Sequence, residues 1–380
     1  MRKFISLLLV LMLALGLAAC GSESEEPSEA SEAPSGAEGD TPSGEEVEMM
    51  DLKISGHPAP HSLPNEVAME KGFFEENGLN VSNTYYISGL SQQEAAPSGT
   101  WECGICGIPP TINGALNYGV EIIGFSIYDD APQYLFVRED SPIYQAGQGN
   151  VDGYPELYGT ADTWRGATIL APRGTTAHVL ILATLDALGL TEADVDIVHM
   201  EVPAAAQAFA AGEGDVMAQW STFTYEAIED GYKPVSTAAS VGLSLPSPIL
   251  ATSEAIAEKP EAVQRYLDTV VSSMEWINDE ANRDELNDIY YNLCIDEGVA
   301  ISEEAVDWSM EIHHIPTVEE LKEMLEVDPE TGMNAFEEQV DTVMSFMIRA
   351  GVYEESQRQA VLDAINLDFL EETLANYTAE

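Results

Sequence analysis

The chain has 380 residues, of which 14 are Lys or Arg and 67 are Asp or Glu, so its formal net charge is -53. A surface this negative repels phosphate, which excludes nucleic acid as a partner. Hydrophobic residues make up 45% of the sequence, which excludes a chain disordered throughout, and four Cys are too few for a disulfide scaffold.

The N-terminal segment has the order of a secretory signal peptide: a basic start, an apolar run over residues 4–15 and then small residues. The run Leu17-Ala18-Ala19-Cys20 is similar to the lipobox of bacterial lipoproteins, where the Cys is acylated and becomes the mature N-terminus. The alternative is an ordinary signal peptide that ends near a Cys. We predict a signal peptide over residues 1–19 and lipidation at Cys20.

The segment behind this Cys is acidic and has low complexity. Residues 21–50 contain ten acidic residues and no basic residue, and are otherwise mostly Ser, Pro, Gly and Ala. Such a segment cannot bury enough apolar surface to offset the entropy lost on ordering it. We therefore predict that residues 20–50 form a lipidated, disordered acidic tether.

A βα series follows the tether. Runs rich in β-branched and aromatic residues predict strands, and apolar residues at helical spacing predict helices. The pattern predicts strands over residues 52–56, 79–87, 120–127 and 134–138, a further strand near 102–106, and helices over 65–71 and 111–118. Residues 139–163, rich in Gly, Asp and Tyr, are predicted to form a loop.

A second βα series begins at Ala167. The pattern predicts strands over residues 167–171, 195–200 and 215–219, and helices over 175–188 and 203–211. From Pro260 onward the chain is predicted to be helical, because apolar residues between Val263 and Ile277 follow the i, i+3, i+4, i+7 spacing. Two βα blocks followed by helices predict an α/β fold with two lobes and a helical C-terminal region.

Three stretches carry a family resemblance. The first contains Glu70-Lys71-Gly72-Phe73-Phe74, the second Pro172-Arg173-Gly174-Thr175-Thr176-Ala177-His178, and the third Gly212-Glu213-Gly214-Asp215 followed by Gln219-Trp220. In this order and spacing they resemble the nitrate/sulfonate/taurine-type substrate-binding proteins of ABC importers. That group also contains binders of thiamine-pyrimidine precursors.

The resemblance implies a two-lobed periplasmic-binding-protein-like (type II) fold. Two α/β lobes would be joined by two crossover segments, with the ligand in the cleft between them and closure on binding. Lobe 1 would comprise residues 51–137 and 243–380, including the C-terminal helices, and lobe 2 residues 138–242.

Candidate ligand-binding residues lie in loops behind the predicted strands. Ligands of open α/β sheets collect at the carboxyl ends of the strands, where loops and helix N-termini meet. Four strand ends qualify, and the candidates in their loops are His57, His61, Pro109, Thr111, Gly174, Thr175, Thr176 and Trp220.

The turn Gly174-Thr175-Thr176 is the most informative of these loops. A Gly lets the backbone come close to a ligand, and two hydroxyls beside free N–H groups at a helix start suit a carboxylate, sulfonate or nitrate. The alternative is a plain N-cap, which accounts for only one Thr. Arg173 is expected to face solvent, as in the family pattern. Three tyrosines are candidate walls, although core packing is the expected role of each: Tyr85, Tyr86 and Tyr128.

A second constellation combines His57 and His61 with Cys103 and Cys106. Both pairs follow neighbouring predicted strands, so they could converge into a tetrahedral site, for which zinc is the expected metal. Two other interpretations of the cysteines stay open: a local disulfide in an exported chain, or two unpaired thiols packed in the strand and loop. Because these fit at least as well, we predict no resident metal and no cofactor.

No enzyme signature is present: the sequence has no Gly-x-Ser-x-Gly, no P-loop, no His-Glu-x-x-His and no dinucleotide fingerprint. We predict a non-enzymatic, monomeric lipoprotein anchored on the extracytoplasmic face of the cell membrane. It would capture a small organic or oxyanion solute, sulfonate-, taurine-, nitrate- or pyrimidine-like, and deliver it to ABC permease subunits. One alternative is a metal- or redox-handling lipoprotein that uses Cys103 and Cys106 with His57 and His61. Another is a sensor or scaffold with a degenerate cleft.

Overall fold

A computed structural model describes residues 48–377, which belong to one compact unit over residues 47–380. The predicted signal peptide, Cys20 and nearly all of the predicted tether lie outside the described residues.

The described residues contain ten strands. In chain order they are β1 (Met50–Gly56), β2 (Leu79–Tyr85), β3 (Cys103–Ile105), β4 (Val120–Tyr128), β5 (Tyr134–Val137), β6 (Thr168–Ala171), β7 (Asp196–His199), β8 (Val216–Gln219), β9 (Lys233–Thr237) and β10 (Pro246–Thr252).

Helices connect the strands and make up the C-terminal part of the described chain. In chain order they are α1 (Leu63–Glu70), α2 (Phe73–Glu76), α3 (Gly89–Ala95), α4 (Ile108–Asn117), α5 (Pro142–Gln145), α6 (Ala161–Trp164), α7 (Thr176–Ala187), α8 (Val202–Ala210), α9 (Ser221–Glu229), α10 (Ser253–Glu258), α11 (Pro260–Asn278), α12 (Arg283–Asp296), α13 (Glu303–Ile312), α14 (Val318–Met324), α15 (Ala335–Arg349), α16 (Arg358–Leu362) and α17 (Asp368–Asn376). None of these helices is both long enough and apolar enough to cross a membrane.

The strands form two five-stranded sheets. Sheet 1 has the order β2-β1-β3-β10-β4, and β10 is antiparallel to both of its neighbours, whereas β1 is parallel to β2 and β3. Sheet 2 has the order β7-β6-β8-β5-β9, and β5 is antiparallel to β8 and β9. Each sheet thus has one antiparallel strand among parallel ones, so the carboxyl ends of the other four strands lie at the same edge.

The chain passes from sheet 1 to sheet 2 behind β4, through residues 129–133, and returns behind β9, through residues 238–245. The Asp129 N–H donates to the Leu245 carbonyl (2.9 Å), and the Ala238 N–H donates to the Gln133 carbonyl (3.3 Å). The two crossover segments are therefore joined to each other by hydrogen bonds near both of their ends.

Strand β10 is missing from the predicted elements, although it lies inside sheet 1. Its sequence contains Pro246 and Pro248, and a proline removes a ladder hydrogen bond, so it argues against an interior strand. The structure accommodates both prolines: Pro246 is the first residue of the strand, and the register with β4 shifts between Ser247 and Pro248. Strand starts and bulges are the positions where a sheet tolerates proline.

Helix α11 carries the apolar stripe that the spacing predicts. Its buried residues include Val263, Tyr266, Leu267, Val270, Val271, Met274 and Ile277, and it packs on α1, α2 and β1. Further along, α13 packs on α9, and α15 packs on both α4 and α7. The C-terminal helices therefore contact the helices of both sheets.

The segment predicted as a loop, residues 139–163, contains the short helices α5 and α6. Each begins at a hydroxyl residue: the Ile143 N–H donates to Ser141 Oγ (3.3 Å), and Thr160 forms a capping box with Thr163. These caps satisfy N–H groups that a single helical turn leaves open.

Candidate ligand-binding site

A cleft of about 360 Å³ lies where the loops of the two sheets meet. It is lined from the carboxyl ends of β1, β2, β3 and β4 in sheet 1 and of β6 and β8 in sheet 2, by His57, Tyr86, Gly107, Asp129, Thr175 and Trp220 respectively. The two sides approach closely, since a Cβ added to Gly107 would lie 3.2 Å from Thr176 Cγ2.

Five of the eight predicted site residues line this cleft: His57, His61, Thr175, Thr176 and Trp220. The other three, Pro109, Thr111 and Gly174, do not, although Pro110, which lies between the first two, and Gly107 do. Thr111 is buried in the first turn of α4, where its hydroxyl donates to the Gly107 carbonyl (2.9 Å). For all eight residues, contact with a ligand stays a prediction.

His57 and His61 meet because the chain turns tightly behind β1. A 3-10 turn begins at Pro60, and the His57 N–H donates to Ser62 Oγ (2.8 Å), which folds the loop back on itself. His61 Nε2 then lies 2.9 Å from His57 Nδ1. The two outer nitrogens, His57 Nε2 and His61 Nδ1, are buried and form no hydrogen bond of ordinary geometry among the described residues, although the Ser88 backbone lies close enough to the His57 ring to raise its pKa slightly against the effect of burial.

Both imidazole rings are neutral near pH 7. Burial lowers the pKa of His57 to about 4, and burial together with the neighbouring His57 holds the pKa of His61 well below its ordinary value. Each ring therefore has one N–H and one bare nitrogen.

The turn at Gly174 differs in detail from its prediction. Gly174 has φ +78, and its N–H donates to His178 Nδ1 (3.2 Å), so the backbone is held by the first turn of α7. Thr175 is the N-cap residue, but its hydroxyl donates to the Pro172 carbonyl (2.8 Å) and does not cap the helix. The Thr175 hydroxyl hydrogen is thus engaged inside the protein, and its oxygen is left as an acceptor.

Arg173 is held away from the cleft lining by other groups. Its guanidinium pairs with Glu192 (3.0 Å) and donates to the Ile197 carbonyl (3.3 Å). Glu192 also bonds His178 Nε2. These contacts agree with the expectation that Arg173 is not a ligand contact.

Two buried carboxyls lie at or beside the cleft. Asp129 lines it, and burial raises its pKa, although His313 Nε2 at 3.7 Å acts in the opposite direction. Glu66 lies behind the wall, where it accepts a hydrogen bond from the Tyr85 hydroxyl. Burial raises the pKa of Glu66 to about 8.

Several cleft residues are absent from the predicted set. Asp129 lies two residues behind the predicted strand over 120–127, so the rule that selects His57 behind its strand would also have selected it. Pro203 lies in the first turn of α8, and Phe223 lies in the first turn of α9. In this part of the chain the predicted set contains only Trp220. Glu297 reaches the cleft from the end of α12, and no local signal in the sequence indicates that contact. Of the three predicted wall tyrosines, Tyr85 and Tyr86 line the cleft, whereas Tyr128 packs against Phe125 and His314.

The cysteines do not join the two histidines in a metal site. Among residues 48–377, no group of three or more His, Cys, Asp or Glu side chains is placed to hold a metal ion. Cys103 and Cys106 are buried and form no disulfide, so they are the packed thiols of the third interpretation. Burial raises the pKa of Cys106 to about 12 and also that of Cys103, which keeps both in the unreactive thiol form.

Comparison with known proteins gives a family match. The sequence profile of the NMT1-like family matches residues 45–290. This range contains both sheets and all of the cleft lining except Glu297, Gly298 and Val299.

Individual proteins are similar over much of the chain. A protein named as an ABC transporter periplasmic binding protein, from Brachyspira hyodysenteriae, is 28% identical over 231 residues, which are 61% of this chain and 66% of the relative. The match thus spans slightly less than two thirds of that relative's length.

Two solved structures are similar in fold. The alkanesulfonate-binding protein SsuA from Xanthomonas axonopodis pv. citri, bound to MOPS, has a TM-score of 0.64 at 17% identity, covering 84% of this chain and 99% of its own. The periplasmic nitrate-binding protein NrtA from Synechocystis PCC 6803 has a TM-score of 0.66 at 15% identity, covering 86% of this chain and 89% of its own. These likenesses show a periplasmic-binding-protein fold and confirm the predicted α/β fold class.

Proposed function

Because the chain belongs to the NMT1-like family, we propose that it is the extracytoplasmic substrate-binding protein of an ABC importer. It captures a small solute in the cleft and delivers it to the permease subunits in the membrane. The observation that carries this proposal is the cleft of about 360 Å³ lined from the strand ends of both sheets, which is large enough for a small organic molecule.

The proposed lobes are residues 51–137 with 243–380, and residues 138–242. A solute held by both would draw them together about the two crossovers, behind β4 and behind β9. The proposed contacts are the five predicted site residues that line the cleft, with Thr175 and Thr176 at a polar end of the solute. The protein acts as a monomer without a cofactor. No observation favours the metal- or redox-handling alternative.

A melting screen tests this proposal. The panel contains sulfonates, taurine, nitrate, carboxylates, pyrimidines and amino acids. At a hundredfold excess over its Kd, a ligand specific for the folded state adds about 2.7 kcal/mol of stability. We expect a shift in Tm of roughly 5 to 10 °C for a domain of this size, together with a smaller radius of gyration in X-ray scattering as the lobes close.

The Thr175→Val, Thr176→Val double variant tests the turn, with the exposed Thr342→Val as its matched control. We expect the ligand-induced shift to fall in the double variant and to persist in the control. A shift that survives in the double variant would remove the turn from the site and leave the class of protein intact. A complete panel without any shift would contradict the proposed function.

We also propose that Cys20 anchors the protein to the membrane, on the basis of the run Leu17-Ala18-Ala19-Cys20. A single acyl chain holds a protein only marginally, so firm attachment needs the two or three chains that a bacterial lipoprotein carries. In a bacterial host, Cys20→Ala should move the protein from the membrane fraction to the soluble fraction. A wild type that is already soluble would contradict the anchor.

A further inference from the structure

The segment from residue 297 to residue 314 lies beyond the matched family profile, which ends at residue 290. It leaves α12 at the cleft, where Glu297, Gly298 and Val299 form part of the wall, and then continues as α13. This part of the cleft wall is thus contributed by the C-terminal helical region of the chain.

One side of α13 is fixed to the helices of sheet 1. Asn287 Nδ2 of α12 donates to Asp307 Oδ1 (2.6 Å), and the Arg283 guanidinium donates to the Met310 carbonyl (3.1 Å). Helix α12 in turn packs on α1, the first helix behind β1. Helix α13 is therefore attached to the sheet 1 side of the molecule.

The C-terminal end of α13 is fixed beside the first crossover. The Tyr128 N–H, at the end of β4, donates to the His314 carbonyl (3.1 Å). His313 Nε2 lies 3.7 Å from Asp129 Oδ1, and Asp129 is the first residue of the crossover. The segment is thus held by the sheet 1 side at its start, through α12, and again at its end.

The other side of α13 packs on α9, the helix that follows β8 of sheet 2. The ring centroids of Tyr225 in α9 and Trp308 in α13 are 5.9 Å apart. Burial raises the pKa of Glu226 in α9, and the backbone of Ser302, at the start of α13, lies close enough to the carboxyl to act in the opposite direction. Because α9 begins at the cleft with Ser221, α13 connects the two sides of the molecule beside the cleft.

This contact opposes opening of the cleft. The proposed lobes would turn about the crossovers, and a turn that widens the cleft carries α9 away from α13, because Ser221 of α9 and Glu297 before α13 line the same cleft. An aromatic pair contributes more than its buried area alone, and a small free-energy difference is enough to bias two arrangements. Helix α15 also packs on α7, but the Arg349–Asp186 ion pair there is half-exposed, and such pairs add little.

We propose that residues 297–314 form a strap that holds the cleft closed, and that α9 separates from α13 before a solute enters or leaves. This inference rests on the two lobes of the proposed function. The strap acts on the closed arrangement, in which the two sides approach as closely as Gly107 and Thr176 do. Its loss would keep the fold of each lobe and shift the population toward open molecules.

Spin labels on the two lobes measure the opening without any solute. Glu94→Cys in α3 and Gln207→Cys in α8 are exposed positions outside the cleft lining, one on each proposed lobe. Cys20→Ala removes the cysteine outside the described residues, and the three remaining cysteines are buried and stay unlabelled. Unfolding in urea and refolding by dialysis removes any solute that the protein carries. Pulsed electron paramagnetic resonance then gives the distribution of label distances.

Tyr225→Ala and Trp308→Ala remove the ring contact from either side. Tyr144→Ala is the matched control, because it removes a ring contact with Tyr158 inside one lobe. In each strap variant we expect the fraction of molecules whose label distance exceeds the main wild-type peak by more than about 2 Å to rise at least about threefold. The control should keep the wild-type distribution. The double variant should open no further than the more open single variant, because both changes remove the same contact.

Tm without ligand shows which variants fold, and Tyr225→Leu or Trp308→Leu replaces an Ala variant that does not. An unchanged distance distribution in folded variants from both sides, or a double variant whose effects add, would overturn the strap and leave the proposed function to the melting screen. A melting screen without any shift would contradict the proposed function, whereas the label distances would still show whether α13 holds the two lobes together.

Discussion

His57 shows how burial alone changes the chemistry of a residue. In water a histidine is partly charged near pH 6.5, but in the cleft wall the ring is desolvated and its pKa lies near 4. The unfolded chain therefore binds a proton between these two values that the folded chain does not. By linkage, the free energy of unfolding contributed by this group is fully present above pH 6.5 and is lost as the pH falls to 4.

We expect His57→Gln to remove this pH dependence. One pKa unit corresponds to about 1.4 kcal/mol, so the wild type should lose about 3 kcal/mol more than the variant between pH 6.5 and pH 4. Urea unfolding at several pH values measures the difference, and His314→Gln is the exposed control. Parallel stability curves for the wild type and His57→Gln would contradict a neutral, buried His57.

Glu66 has the opposite dependence, because burial raises its pKa from 4.5 to about 8. The folded chain holds a proton that the unfolded chain loses, so this contribution is fully present below pH 4.5 and is lost as the pH rises through 8. Tyr85 lines the cleft and donates its hydroxyl hydrogen to Glu66. The Glu66 carboxyl therefore helps to hold this wall residue in place.

We expect Glu66→Gln to stabilise the protein progressively as the pH rises from 4.5 to 8. The amide keeps an oxygen that accepts from the Tyr85 hydroxyl and has no charge to desolvate. The gain should reach at most about 5 kcal/mol at pH 8, from the size of the pKa shift. Urea unfolding at pH 5 and pH 8 checks it, with the exposed Glu372→Gln as control. A gain that does not grow with pH would contradict a protonated Glu66.

At the scale of elements, the centre of sheet 1 depends on the close fit of β3. This strand has only three residues and lies between β1 and β10. A Cβ added to Gly104 would lie 2.4 Å from Ser55 Oγ and 2.8 Å from the Ser55 carbonyl oxygen. The second atom belongs to the backbone of β1, so the strand itself would have to move.

We expect Gly104→Ala to reduce the free energy of unfolding by about 2 to 3 kcal/mol, the upper part of the range of about 1 to 3 kcal/mol for overpacking a core, because a backbone atom must move. Gly147→Ala is the control: its Cβ meets nothing within 4 Å, and its φ of +75 alone should cost about 1 kcal/mol. Denaturant unfolding of both variants measures the contrast. Equal losses would show that β3 relaxes without strain.

At the scale of the whole molecule, the dominant feature is its negative charge. Asp and Glu number 67 against 14 Lys and Arg, so ion pairing can neutralise only a minority of the carboxylates. The rest repel one another in the folded state, where they are closer than in the unfolded chain. Salt weakens this repulsion, because the screening length falls from about 10 Å at 0.1 M to about 3 Å at 1 M.

We therefore expect Tm to rise by at least about 5 °C between 0.05 M and 1 M NaCl, which corresponds to about 2 kcal/mol for a domain of this size. Screening depends on ionic strength and not on the cation, so KCl and choline chloride should act alike. Calorimetry at matched ionic strength tests both statements. A rise with only one cation would indicate specific cation binding in place of screening.

The sequence by itself determines the family and the fold class. The resemblance is carried by three local signals, each a contiguous run whose residue types serve a turn, a helix start or a strand end. They are the turn around Lys71-Gly72, the turn Gly174-Thr175-Thr176 and the strand end Gln219-Trp220. The family profile and the fold of the related structures confirm the resemblance that these runs carry. The apolar spacing in α11 is local for the same reason, and its predicted residues are buried.

Only the tertiary structure decides how the cleft is composed. His57 and His61 become a neutral pair because the fold desolvates both, Asp129 is buried at a crossover, and Glu297 arrives from a helix distant in sequence. Strand β10 exists because β3 and β4 offer hydrogen-bonding edges on both sides, which outweigh its two prolines. Burial, pairing across strands and pKa depend on neighbours brought together by folding, and such neighbours leave no local pattern in the sequence.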